Sequence, residues 1–150
     1  MICVSLTGLV RSVVVGAPGY FLRRGRPTHP RDLVTHDCIQ VRLGVNDNPY
    51  HWEFCEDGRW FDVQARGNLI TNDSALALRA ALHEVGLRHC MLLLDVKEHL
   101  AAGRLESVLD SWLPPYEGFF LFYSSRAQTP QKLRVFIDCV LEHARRINRR

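Results

Sequence analysis

The pair His83-Glu84 could begin a zinc-binding helix motif. In that motif two histidines at positions i and i+4 face the same metal ion, and the glutamate acts as a base. In this chain the next histidine is His89, and Gly86 lies between the two histidines. The histidines therefore cannot share one face of a helix. The sequence predicts no metal site.

Cysteine and serine side chains are the next candidates, since either can act as a nucleophile when a base activates it. Cys38 follows His36 and Asp37, but side chains one and two positions apart in a strand or turn point in different directions. Ser74 lies in no G-x-S-x-G elbow, and Ser124-Ser125 has no base paired with it in the sequence. No catalytic residue is predicted. A small cytoplasmic α/β hydrolase or transferase with a Cys or Ser nucleophile stays open as an alternative function.

Two turns are candidate ligand-binding segments, because each follows a predicted strand and precedes a predicted helix: Gly16-Ala17-Pro18-Gly19 and Thr71-Asn72-Asp73-Ser74. The first turn lacks both the dinucleotide fingerprint and the P-loop lysine, so no cofactor is predicted. In a parallel α/β sheet such turns gather at the carboxyl edge, where small molecules bind. We therefore expect both turns to border one small-molecule cleft. The alternative is that Asn72-Asp73-Ser74 only caps its helix.

Residues 68–94 predict the strand, helix and strand that position the second turn. Asn72 or Asp73 can cap the helix, since its side-chain oxygen accepts from an amide of the first turn. Gly86 is the predicted left-handed residue that ends the helix, and Cys90–Leu94 the predicted buried strand. The helix N-terminus is a natural site for an anion. The predicted apolar face of this helix consists of Leu78, Ala81, Leu82 and Val85.

Turn chemistry and hydrophobic periodicity place the remaining elements. The predicted strands are Val13–Val15 leading into Gly16, Cys38–Leu43, the hairpin of Tyr50–Cys55 and Trp60–Ala65 around Asp57-Gly58, Leu105–Leu109, and Phe119–Tyr123. The predicted helices are Tyr20–Arg24, a short helix over His29–Leu33, Val96–Ala102 and a last helix opened by Thr129-Pro130. A surface loop is predicted at Asn46-Asp47-Asn48-Pro49. The last helix carries an apolar stripe of Leu133, Phe136, Ile137, Val140, Leu141, Ala144 and Ile147.

Composition excludes several classes of protein. The 150 residues are 47% apolar and 23% charged with a net charge of +3, as in an ordinary globular domain without a basic DNA-binding surface. The five cysteines are scattered without a C-x-x-C pair, which excludes a disulfide framework and indicates a reducing compartment. No apolar run reaches a membrane span of ~20 residues, and no signal peptide is evident. We expect a cytoplasmic protein without membrane contact.

Short motifs in a specific order resemble the LysR-type transcriptional regulators, from about Val10 to Cys139. The matching segments are Val13-Val14-Val15-Gly16-Ala17-Pro18-Gly19-Tyr20-Phe21, His29-Pro30 with Asp32-Leu33, Trp52-Glu53-Phe54, Thr71-Asn72-Asp73, Leu100-Ala101-Ala102-Gly103-Arg104-Leu105, and Trp112 through Pro114-Pro115, Gly118-Phe119 and Ser125-Arg126 to Phe136-Ile137-Asp138. The resemblance implies an α/β fold: a periplasmic-binding-protein-like (type 2) effector domain, with a mixed sheet and flanking helices.

Compared with such regulators, the sequence is expected to be a partial effector (substrate)-binding domain, truncated so that the helix-turn-helix and most of the first subdomain are absent. Residues from about 10 to 118 correspond to the second subdomain, about 119 to 125 to the return crossover, and about 129 to 147 to the closing helix of the first subdomain. The stripe on that helix should then be exposed, repacked or covered by a partner.

The resemblance also implies the function: a small-molecule-sensing module, not an enzyme, that regulates transcription only together with the missing DNA-binding domain. This chain is not expected to contact DNA directly, and a homo-oligomer is expected. A small anionic effector would sit between the subdomains. A helix-mediated interaction protein is a further alternative. The expected effector-binding residues are Ala17, Pro18, Arg42, Asn72, Asp73, Ser74 and Tyr123.

Overall fold

The computed structural model describes residues 1–44, 48–124 and 129–148. The chain divides into two compact units, one of residues 11–114 and a second of residues 1–10 with 115–150. The predicted loop residues Asn46-Asp47 and the Ser125-Arg126 part of the family motif lie outside the described residues. The assignment of these regions to subdomains of a longer regulator stays a prediction.

The described residues form short strands and mostly short helices. The strands are β1 (Ile2–Ser5), β2 (Leu9–Val10), β3 (Val13–Gly16), β4 (Cys38–Val41), β5 (Trp52–Glu56), β6 (Arg59–Val63), β7 (Ile70–Thr71), β8 (Leu87–Cys90), β9 (Glu106–Val108), β10 (Tyr116–Glu117) and β11 (Phe120–Tyr123). The α-helices are α1 (Pro18–Arg24), α2 (Ser74–Leu82), α3 (Lys97–Ala101) and α4 (Gln131–Asn148), with short 3-10 helices at Pro30–Thr35, Leu93–Asp95 and Asp110–Trp112.

A five-stranded sheet in the order β7-β4-β8-β3-β9 forms the centre of the 11–114 unit. β4 is parallel to both β7 and β8, whereas β3 is antiparallel to its neighbours β8 and β9. The predicted mixed sheet with flanking helices is therefore confirmed. The direction of β3 decides which turns can share an edge of the sheet.

Each face of this sheet is covered by its own apolar layer. On one face Ala77 and Ala81 of α2 pack with Val13, Val15 and Ile39 of the sheet. On the opposite face the β5–β6 hairpin contributes to a core of buried residues, of which Tyr20, Phe21, Trp52 and Phe54 are the largest. The hairpin turns at Asp57 and Gly58, whose φ angles are 49° and 77°, as the Asp-Gly pair predicts.

The predicted strand at Cys90–Leu94 is wrong by several residues. Strand β8 covers Leu87–Cys90, and Leu93–Asp95 is a 3-10 helix. Gly86 does not end α2 in a left-handed conformation; Glu84 does, with φ of 63°. A Cβ on Gly86 would lie 2.4 Å from the Asp37 carbonyl oxygen, so the glycine permits close approach of two backbone segments.

The apolar face of α2 is also shifted from the one predicted. The residues it buries are Ala77, Ala80 and Ala81, and Val85 lies beyond the helix and is 44% exposed. Leu78 and Leu82 pack only at the margin of this layer. The small side chain of alanine allows the helix to approach the sheet closely. Sequence periodicity marks leucine and alanine alike as apolar, so it could not show that the alanine face is the buried one.

The second unit pairs β1 with β11 and β2 with β10, both antiparallel, and ends in α4. Within its apolar stripe Ile137 is buried, whereas Phe136 is 59% exposed. A groove of about 520 Å³ lined mainly by apolar side chains, among them Leu6, Phe119 and Val140, runs along the helix. The expectation of an exposed stripe is thus met in part.

Candidate functional site

The two predicted turns lie at opposite edges of the five-stranded sheet. The parallel strands β4, β7 and β8 end together at one edge, called here the Ser74 edge because α2 begins there at Ser74. β3 runs the other way and ends at Gly16, beside Glu106 at the start of β9, and this is the Gly16 edge. The expectation that both turns border one cleft is wrong, because it assumed that β3 is parallel to its neighbours.

The Gly16 edge is closely packed. A Cβ on Gly16 would lie 2.7 Å from Leu87 Cδ2 and 2.9 Å from Phe21 Cζ. Ala17 is buried and Pro18 half-buried in the first turn of α1, which has no side-chain cap. Ala17 and Pro18 therefore lie at the opposite edge of the sheet from Asn72-Asp73-Ser74, and they are not part of the proposed site.

At the Ser74 edge, Asp73 is the N-cap of α2. Its Oδ1 atom accepts hydrogen bonds from the amides of Ala75 at 2.8 Å and Leu76 at 3.1 Å. The amide of Asp73 itself donates to Thr71 Oγ1 at 3.0 Å. The alternative in which this set caps its helix is thus correct for Asp73. Its carboxylate places a negative charge where an anion would otherwise meet the first amides of the helix.

Ser74 connects this edge to a buried charge. Arg88, on β8, is only 4% exposed, and its Nη2 donates to Ser74 Oγ at 2.5 Å. Within residues 1–44, 48–124 and 129–148, the Nε and Nη1 atoms of Arg88 have no hydrogen-bond partner. No carboxylate in these ranges forms an ion pair with Arg88. Buried guanidinium groups are usually paired, so this one is exceptional.

A small cavity of about 110 Å³ lies beside Arg88 at the Ser74 edge. The side chain of Asp95 is at its exposed rim. At roughly 30 Å³ per water in the liquid, the cavity can hold a small polar group rather than a whole effector. Its lining consists of Ile39, Val41, Leu43, Tyr50, Trp52, Ser74, Arg88, His89, Cys90, Met91 and Asp95.

His89 lines the same cavity and packs among aromatic rings. Its ring centroid lies 5.8 Å from that of Tyr50 and 5.7 Å from that of Trp52. Burial, together with the charge of Arg88, lowers the pKa of His89 to about 4, so the ring is neutral at pH 7. His89 therefore adds a neutral aromatic ring to the lining of the cavity rather than a positive charge.

Arg42 and Asn72 lie at the Ser74 edge, whereas Tyr123 belongs to the second unit. Arg42 is exposed directly after β4, and its amide donates to the Thr71 carbonyl at 2.9 Å, so it lies at the Ser74 edge. Asn72 is exposed in the turn before Asp73. Tyr123 ends β11 in the second unit, where it pairs with Ile2. The structure thus brings Arg42, Asn72, Asp73 and Ser74 to one edge.

Arg88 is the functional candidate that sequence reasoning missed. The signal was present, since Arg88 and His89 interrupt an apolar run that otherwise extends from Leu87 to Leu94. Because the strand was predicted to begin at Cys90, Arg88 fell in a connecting segment, where a charged side chain is unremarkable. With the observed bounds of β8, a charged residue in a strand covered on both faces indicates a special role.

The thiols of the core are poor nucleophiles. Burial and the nearby Asp37 raise the pKa of Cys38 to about 12, and burial raises that of Cys90 to about 11. A buried thiol with a raised pKa contains almost no thiolate at neutral pH. The described part of the chain contains no group of three or more residues able to hold a metal ion. Among the same residues, no helix is long and apolar enough to cross a bilayer.

Comparison with known proteins decides the family. The sequence profile of the LysR substrate binding domain matches residues 5–145. The chain belongs to the LysR substrate-binding domain family. YcaN from Escherichia coli strain K12, an uncharacterized HTH-type transcriptional regulator, is 36% identical over 140 residues, covering 93% of this chain and 45% of YcaN. YagP from the same strain, named for a LysR family substrate binding domain, is 38% identical over 108 residues, covering 72% of this chain and 79% of YagP.

Solved LysR-type proteins have the same fold. Full-length AphB from Vibrio cholerae matches with a TM-score of 0.76 at 24% identity, covering 96% of this chain and 48% of AphB. CrgA from Neisseria meningitidis matches with a TM-score of 0.70 at 20% identity, covering 95% of this chain and 47% of CrgA. The predicted α/β fold of the periplasmic-binding-protein-like (type 2) effector domain is confirmed.

The family defines the general role of the LysR domain. The domain is an effector-binding module of LysR-type regulators. This family of transcriptional regulators is not an enzyme family. The alternative of a hydrolase or transferase has no support. The chain spans somewhat less than half the length of YcaN and of PgrR from Escherichia coli strain K12, at 45% and 46%. The effector and the target genes of a whole regulator therefore do not follow from this similarity.

Proposed function

We propose that this LysR domain binds a small anionic effector at the Ser74 edge and has no catalytic activity of its own. The observation that carries the proposal is the cavity beside Ser74, at the edge where three strands end together. In open α/β sheets, ligands bind outside the carboxyl ends of parallel strands. The apolar lining and few polar groups of this cavity are typical of a small-molecule site.

Each residue at this edge has a proposed role. Ser74 accepts a hydrogen bond from Arg88 and keeps its own hydroxyl proton to donate to the effector. Asn72, exposed two residues earlier, offers a second donor, and Arg42 contributes positive charge at the same edge. Asp73 is proposed to position this turn through its cap, since its carboxylate would repel an anion. Contact of Tyr123 with the effector stays a prediction.

At the level of the regulator, effector binding is proposed to shift a homo-oligomer between two states, with DNA held by another domain rather than by this chain. A ligand shifts such an equilibrium only by its difference in affinity for the two states. Binding by the isolated LysR domain is therefore measurable without DNA.

The test is a thermal-shift screen of the 150-residue chain against small carboxylates, sulfonates, phosphates and their neutral analogues. A compound that binds the folded chain raises its Tm in a concentration-dependent way. For such a compound, the double variant Asn72→Ala, Ser74→Ala should lose about tenfold or more in affinity. The control is Ser107→Ala, a serine of β9 paired with Val15 near the Gly16 edge. Unchanged binding by the double variant would refute a site at the Ser74 edge.

A further inference from the structure

We propose that Arg88 recognises the charge of the effector and that the group it binds is a single carboxylate, which enters the cavity beside Ser74. This inference rests on the proposed function, because it uses the same edge of the sheet. It adds the residue that carries the charge and the chemical class of the group that is bound.

Arg88 is a buried cation without an anionic partner among the described residues. The residue as a whole is only 4% exposed. It holds a neutral hydroxyl through Nη2, while Nε and Nη1 lack partners among the described residues. An unpaired buried charge is costly, whereas an anion that supplies the missing acceptors makes strong charge-assisted hydrogen bonds. The arrangement is thus that of a site awaiting an anion.

The size and lining of the cavity also favour a carboxylate. With about 110 Å³ enclosed by side chains such as Ile39, Val41 and Trp52, it has room for a carboxylate and the first carbons attached to it. Apolar walls favour an organic group over a hydrated inorganic ion. A planar carboxylate also matches the planar donors of a guanidinium.

Two acidic side chains, Asp73 and Asp95, lie near the cavity. Asp95 lies at the exposed rim of the cavity. The carboxylate of Asp73 accepts hydrogen bonds from amides of the first turn of α2. Both disfavour a dianion such as phosphate, because like charges repel. A singly charged carboxylate balances the one buried guanidinium and meets less repulsion.

The experiment is an NMR titration of the intact 150-residue chain, which follows the Nε–H resonance of Arg88. The resonance is assigned by its loss in Arg88→Met. The probes are sodium acetate, acetamide as its neutral analogue, and sodium chloride and sodium phosphate at matched ionic strength. Acetate should shift the resonance in a saturable way, and acetamide should not. No saturable shift with acetate, or an equal shift with chloride or phosphate, would overturn the inference.

Variants separate this inference from the proposed function. For a carboxylate found in the thermal-shift screen, Arg88→Met should reduce affinity about tenfold or more, and Arg88→Lys should restore only part of it. Replacement of a buried charge by an apolar residue is often neutral for stability, so Arg88→Met should fold. If a compound needs Asn72 and Ser74 but binds Arg88→Met unchanged, Arg88 is not the anchor and the proposed function stands. If no compound depends on Ser74, the proposed function fails first.

Discussion

The Gly16 edge and the Ser74 edge each connect a strand to a helix, yet they are built by different means. At the Gly16 edge, α1 begins at Pro18 without a side-chain cap, and the turn is held by close packing of Gly16 against Leu87 and Phe21. At the Ser74 edge, α2 begins with a carboxylate cap, and a cavity lies beside its first residue. One turn is filled by neighbouring side chains, and the other is held by hydrogen bonds.

The difference shows what a strand-to-helix turn needs in order to bind a ligand. Several strands must end together, polar groups must converge, and volume must be left unfilled. The Ser74 edge meets all three conditions, since β4, β7 and β8 are parallel and Arg88 and Ser74 meet beside the cavity. At the Gly16 edge β3 ends against antiparallel neighbours, and the turn is closely packed around Gly16. The two turns lie at opposite edges because β3 runs antiparallel to its neighbours β8 and β9.

The largest expected effect that tests this comparison is acid sensitivity from the Ser74 edge. Because the pKa of His89 is about 4 in the folded chain and ~6.5 when unfolded, the unfolded chain binds more protons between these values. The contribution of neutral His89 to the free energy of unfolding is therefore fully present above about pH 6.5. It is lost as the pH drops towards 4, by a total of roughly 3 kcal/mol. Urea unfolding at a series of pH values measures this slope.

Two variants assign that acid sensitivity to an edge. His89→Leu should remove most of the slope between pH 6.5 and 4 that urea unfolding measures. His36 lies at the start of β4, beside the Gly16 edge, and burial also lowers its pKa. His36→Gln is thus the matched control and should keep most of the slope. If His36→Gln flattens the profile and His89→Leu does not, the aromatic setting of His89 is not its source.

Sequence alone predicted the features that depend on neighbouring residues. The Asp57-Gly58 turn and the Asp73 cap follow from the backbone preferences of those residues, and both are confirmed. The direction of β3 depends on strands far away in sequence, so a local pattern could not reveal it. Gly86 is needed for contact with the Asp37 carbonyl, which is a tertiary contact. The position of Arg88 was missed because an apolar run does not mark where its strand begins.

An intermediate effect is expected from filling the Gly16 edge. Gly16→Ala would place a Cβ 2.7 Å from a buried Leu87 atom, so side chains of the core must shift. Such overpacking typically destabilises by about 1–3 kcal/mol, and we expect about 2 kcal/mol by urea unfolding. Gly8→Ala is the control, since nothing lies within 4 Å of its added Cβ. Effector affinity should be unchanged in Gly16→Ala; a parallel loss of affinity would mean that the Gly16 edge contributes to the site after all.

The smallest expected effect comes from removing the cap at the Ser74 edge. Asp73→Ala deletes the acceptor of the Ala75 and Leu76 amides, which should destabilise by about 1 kcal/mol, whereas Asp73→Asn keeps an acceptor and should lose less. Hydrogen exchange should speed up in the first turn of α2 but not in α1, which has no side-chain cap to lose. Because Asp73→Asn preserves the cap and removes the charge, it also separates positioning from repulsion. An acetate affinity that falls in Asp73→Asn would contradict the proposed repulsion between the Asp73 carboxylate and the bound anion.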